Sequence, residues 1–134
     1  MVKTHTRPQV MYQLDIGSGY YNFCTNHPFV KELALEVSKV VGGCTLIDSV
    51  GYWADVERAD KEDYSDVAVG DERNVQLQVK AELSKEIRLE ETIVNTVVRL
   101  AKQYPMLYID WVCGHKVQSD GTVTSFNFSV NENK

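Results

Sequence analysis

Basic residues are scarce in this 134-residue chain: 14 Lys and Arg stand against 19 Asp and Glu, for a formal net charge of -5. A protein led by phosphate contacts needs a basic stripe or patch, and no cluster of Lys and Arg supplies one, so nucleic acid is not an expected partner. Long apolar runs are also missing. None reaches the roughly 18 residues of a membrane helix, and Met1 to Gln9 is polar without a hydrophobic signal core. A soluble, cytoplasmic protein with no membrane partner is expected. Cysteine is limited to Cys24, Cys44 and Cys113, an odd and scattered set that fits reduced thiols better than a disulfide framework.

What is present is ordinary globular material, 43% hydrophobic and 25% charged, enough for one core without metal or disulfide. Residues 1–134 read as a single α+β domain with an ordered core over about 9–130. The acidity is local. From Glu57 to Glu72 there are seven acids and two bases, leaving 12 of each sign elsewhere, so the charge belongs to one segment.

Along Gln9 to Gly17 the residues Val10, Tyr12, Leu14 and Ile16 alternate with polar neighbours, which predicts a half-buried strand. Gly17, Ser18 and Gly19 end it. Pro28 suits the first turn of a helix carrying Phe29, Leu33, Val37 and Val40 or Val41 at helical spacing, stopped by Gly42 and Gly43. Cys44 to Val56 is expected as a second strand with a bulge at Gly51. Arg73 to Leu83 alternates strictly as a third, and Leu89 to Tyr104 reads as a second helix with Ile93, Val97, Leu100, Ala101 and Tyr104 inward. Met106 to Val117 is expected as a fourth strand burying Leu107, Ile109, Trp111 and Cys113, followed by a last strand from Thr122 to Val130.

The order β-α-β-β-α-β with two helices predicts the ferredoxin-like sheet, helices on one face, with an extra C-terminal hairpin strand. That topology gathers Gly17 to Tyr21, the start of the first helix, Tyr52, Trp53, the acidic segment and Arg73 at one end. Tyr20, Tyr21, Tyr52, Trp53 and Arg73 are therefore the candidate ligand-binding residues, since rings plus one guanidinium suit a flat, anionic small molecule. Asp60, Glu62, Asp63, Tyr64 and Asp66 are the candidate partner-binding residues, in a long acidic loop whose apolar anchors Tyr64, Val67 and Val69 suit it to a basic protein surface.

Other constellations are weaker. Cys24, His27, Cys113 and His115 are zinc-ligand types, but the topology separates the two pairs. Asn22 stands where a G-x-G-x-x-G loop needs its third glycine, and the acidic loop lacks the D-x-[DN]-x-[DN]-G pattern. No cofactor, metal or catalytic residue is expected.

Gly42-Gly43-x-Thr45 followed by Gly51-x-Trp53 resembles a small uncharacterised ferredoxin-like family with a G-G-x-T...G-x-W pattern. The likeness covers about 10–112 in layout and five residues in motif, and implies a fold without an activity. PII-type signalling proteins also place a long loop between strands two and three, but their other motifs do not occur here. Two functional readings follow. One is a non-enzymatic, homo-oligomeric binding protein, in size like a viral or mobile-element accessory or inhibitor protein, that engages a small anionic ligand or protein partner through the acidic-loop end. The other is a small isomerase or hydrolase using Asp15 or Asp110 as base, with Tyr and Arg orienting the substrate.

Overall fold

The computed structural model describes residues 7–54 and 69–133. Its elements run β1 (Gln9–Ser18), α1 (Pro28–Val41), β2 (Thr45–Ala54), β3 (Val69–Glu82), α2 (Glu86–Gln103), β4 (Trp111–Gln118), β5 (Val123–Ser125) and β6 (Phe128–Ser129), with single 3-10 turns before and after α2. The sheet order β2-β3-β1-β4-β5, antiparallel at every pairing, is the expected ferredoxin-like arrangement. Both helices lie on one face, and Arg99 of α2 bonds Glu32 of α1 at 3.1 Å.

The alternation in β1 settles which face is core. Val10, Tyr12, Leu14 and Ile16 are fully buried, as are Val75 and Leu77 of β3, beneath Phe29, Leu33 and Val37 of α1 and Leu89, Ile93, Val97 and Leu100 of α2. α1 begins at Pro28, whose missing N–H costs nothing there, and ends on Gly42 in the left-handed region at φ 95°. On the opposite face, Gln78 donates to Gln76 at 2.8 Å and Gln76 donates to Asp15 at 3.1 Å. Met11, Ile47, Trp111 and Val123 are exposed there.

Three expectations need correction. No bulge occurs at Gly51, because the β2–β3 register runs unbroken from Thr45 opposite Gln78 to Ala54 opposite Val69. The fourth strand has the opposite phase at its start: Trp111 is 56% exposed and Val112 0%. Residues Pro105–Leu107 form a 3-10 turn and Tyr108 adopts the left-handed conformation at φ 52°, which resets the alternation before β4 begins. Leu107 and Ile109 are buried as expected, but ahead of the strand.

The last strand is also divided in two. Between β5 and β6, Asn127 Oδ1 accepts the Gly114 N–H at 3.0 Å while Phe126 N–H donates to Gly114 O at 3.0 Å, so a side chain replaces one rung of the ladder. Gly114 is required at that point. A Cβ there would strike the Gln13 carbonyl oxygen and approach Leu14 Cδ2 to 2.7 Å.

Candidate functional site

Ser18 ends β1 and fixes the path of the chain beyond it. Only 2% exposed, its hydroxyl donates to Leu107 O at 2.7 Å and accepts the Tyr20 N–H at 3.0 Å, while Gly19 N–H also reaches Leu107 O. The segment from Tyr20 then turns back over the sheet, with Phe23 N–H bonding Tyr20 O and Phe23 buried in the core. Asp48 of β2 ties its far side down, accepting from Thr25 N–H at 2.8 Å and from the Thr25 hydroxyl at 3.2 Å.

Between this segment and the β2–β3 edge lies a cleft of about 300 Å³, lined by Tyr21, Phe23, Cys24, Asp48, Ser49, Val50, Arg73 and Asn74. The register explains the composition, since Arg73 pairs with Ser18 on one side and Val50 on the other, and Val75 with Asp48. Among the described residues Arg73 forms no ion pair. One wall is therefore aromatic, the floor is strand, and a guanidinium and an amide stand at the rim. Such a site can hold a small planar molecule and neutralise an attached anion. A more open groove of about 570 Å³ runs along α2 past Asn95, Val98, Arg99, Lys102 and Gln103. Its Arg99 is already paired with Glu32.

The five ligand-binding candidates divide. Tyr21 and Arg73 line the cleft. Tyr20 instead packs partly buried against the core, its ring 5.2 Å from that of Tyr21, and serves as a backing for it. Tyr52 is 80% exposed and outside the cleft, because β2 runs on past the segment that would cover it. Trp53 pairs through its backbone with Gly70, and its side chain lies outside the described residues. So do Asp60, Glu62, Asp63, Tyr64 and Asp66.

Phe23, Asp48 and Asn74 were not singled out from the sequence. Asp48 carried a readable signal, a carboxylate between Leu46 and Val50 on the side of β2 that faces the helices. Asp15, a candidate base of the enzymatic reading, lies on the helix-free face with Gln76 and away from Arg73. Among the described residues no three His, Cys, Asp or Glu side chains group as metal ligands.

At the other end of the sheet a second polar cluster joins β1, β4 and α2. Tyr12, fully buried, donates its hydroxyl to Glu90 Oε2 at 2.5 Å. Lys116 Nζ reaches the same oxygen at 3.0 Å and Glu86 Oε1 at 3.4 Å, and stands 6.0 Å from the centre of the Tyr12 ring. Burial, then the bond to Glu90 and its charge, push the Tyr12 phenol far above the usual tyrosine range. Although desolvation opposes it, the carboxylates of Glu90 and Glu86 together hold the Lys116 ammonium above its ordinary value. All of these groups are engaged with one another. The cluster is a staple rather than a recess.

No family profile matches the chain and no curated protein matches its sequence. Among solved structures its fold is similar to that of a phage SAM lyase. The apo form superposes with a TM-score of 0.59 at 10% identity, over 96% of this chain and 95% of that one. The complex with S-methyl-5'-thioadenosine gives 0.58 at 9% identity over the same shares. B. subtilis GlnK bound to ATP aligns over 90% of this chain and 82% of that one, with a TM-score of 0.35 at 14% identity. At these identities the lyase likeness establishes a shared α+β fold. No helix among the described residues is long and apolar enough to cross a membrane.

Proposed function

We propose that this chain is a small-ligand-binding protein whose site is the cleft between the Tyr20–Thr25 segment and the β2–β3 edge, and that its ligand is a planar molecule carrying an anionic group. The observation that carries the reading is the meeting of Tyr21 and Arg73 in one recess, with Asp48 and Asn74 beside them. Aromatic stacking and a charge-assisted bond to a guanidinium supply orientation and sign selectivity together. The proposal includes self-association through the helix-free face, where Met11, Ile47, Trp111 and Val123 leave apolar surface beside an amide ladder.

The test is calorimetric titration with adenosine 5'-monophosphate and with S-methyl-5'-thioadenosine, the ligand of the phage enzyme of similar fold. The first carries an anion and the second does not. Adenosine 5'-monophosphate should bind about ten-fold more tightly, and Arg73→Gln should remove that difference while leaving the weaker affinity unchanged. Equal affinities in the unaltered protein, or an anion preference that survives Arg73→Gln, would overturn the assignment of the cleft. Turnover of either compound would shift the reading from a binding protein to the enzymatic alternative, and product analysis in the same samples reports it.

A further inference from the structure

His27 sits at the junction between the cleft-lining segment and α1, and it is an unusual helix cap. Its Nδ1 accepts the Phe29 N–H at 3.1 Å, satisfying one of the amides that the first turn leaves unpaired. A neutral imidazole with an acceptor at Nδ1 carries its proton on Nε2. Its ring is 5.2 Å from that of Tyr104 at the end of α2, edge to face, and 6.1 Å from that of Phe23, which lines the cleft. Its backbone joins both neighbours, because His27 N–H donates to Cys24 O and Lys31 N–H donates to His27 O, each at 3.0 Å. One side chain therefore touches the cap, the far helix and the cleft wall.

We propose that His27 is an acid-operated latch on the cleft: protonation of its imidazole uncaps α1 and loosens the Cys24 side of the wall, while Phe23 stays buried. Two features of the geometry oppose the protonated form at once. A proton on Nδ1 turns the cap's acceptor into a donor facing another donor. The added charge lies at the positive end of the α1 dipole, and α1 has no acidic residue in its first turn to offset it.

The titratable and charged groups on the adjoining elements do not reverse this. Nearest along the chain to the ring and its contacts they are Cys24 in the segment, Lys31 and Glu32 in the early turns of α1, Arg99 and Lys102 in the last turns of α2 with Tyr104 capping it, and Asp48 on β2. Glu32 is taken by Arg99 at 3.1 Å and Asp48 by Thr25. Desolvation holds the imidazole below its ordinary value. The sign follows: the cap is fully present above about pH 6.5, and its contribution is lost as pH falls from there through the lower value of the folded state.

The latch stands on the cap geometry, and only its consequence for affinity rests on the cleft being the ligand site. The experiment separates the two. The Phe29 amide and the Tyr21 ring are followed by NMR from pH 8 to pH 5 in the protein and in His27→Asn, whose side chain keeps a cap acceptor but does not titrate. Both signals should move with the imidazole in the unaltered protein and stay flat in His27→Asn. Affinity for adenosine 5'-monophosphate should fall about five-fold more over that range in the unaltered protein than in the variant, the worth of one cap. Signals that ignore the imidazole titration, or that titrate equally in His27→Asn, overturn the latch. Absence of nucleotide binding with the NMR response intact overturns the ligand reading alone.

Discussion

The two ends of the sheet hold similar chemistry to opposite purposes. Where α2 begins, Lys116 is 15% exposed and divides its bonds between Glu86 and Glu90, with Tyr12 donating to the second. Where β1 ends, Arg73 opens on a cleft beside Tyr21 and Asn74. A cation whose partners all come from within the chain stabilises the fold. A cation at the rim of an aromatic recess, with no ion pair among the described residues, is the one the binding reading uses. Substitutions at the first end should therefore register in stability, and at the second in binding.

The largest effect is expected for Lys116→Met, which keeps the stem and removes the charge. It leaves two carboxylates facing each other, with one Glu86 oxygen already buried without a hydrogen-bond partner among the described residues. Breaking a largely buried pair in this way costs about 3 kcal/mol. Urea unfolding should show that loss with nucleotide affinity unchanged. A loss of affinity as large as the loss of stability would collapse the distinction between the two ends.

That staple could not be read from the sequence, and the reason is separation. Tyr12 and Glu90 lie 78 positions apart and Lys116 a further 26 on, so only the packed β1–β4–α2 arrangement brings them together. Only the phenol carried a sign, since Tyr12 falls among the inward residues of β1, whereas the expected phase of β4 turned Lys116 outward. What was legible was the local pattern: the alternation of Val10 to Ile16, the Pro28 start and Gly42 stop of α1, and the strand order that follows from two helices on one face. The phase of β4 was not legible, because one left-handed residue, Tyr108, breaks the count. In the cleft, Tyr21 and Arg73 followed from topology. Tyr52 did not, because topology gives the end of the molecule without saying how far a turning segment reaches over it.

A smaller effect at the same end sharpens the comparison. Tyr12→Phe removes the bond to Glu90 while keeping the ring against Phe126, 5.6 Å away. The loss of a bond to a charged group is worth roughly 1.5–3 kcal/mol. Both Tyr12 and Lys116 hold protons more tightly in the folded protein, so their contribution is complete below about pH 10 and is lost as pH rises beyond it. Tyr12→Phe should blunt that alkaline loss. An unfolding profile from pH 8 to pH 11 that is unchanged by the substitution would show that the phenol is not engaged as described.

The smallest change in stability is expected where the change in binding should be clearest. Asp48→Ala frees Thr25, whose amide and hydroxyl both bond the carboxylate at a largely exposed position. Water competes for a carboxylate at an exposed position, so these bonds contribute about 1 kcal/mol or less, and Phe23 remains buried to hold the segment near its place. The cleft wall loses its only described side-chain tie to β2, so a ligand must order the wall as it binds and its affinity falls. Measured together, urea midpoint and nucleotide affinity should move in unequal proportion, a few-fold loss of binding for a barely shifted midpoint. If Asp48→Ala instead unfolds the protein as readily as Lys116→Met, the cleft end is part of the structural frame and the functional assignment belongs elsewhere on the sheet.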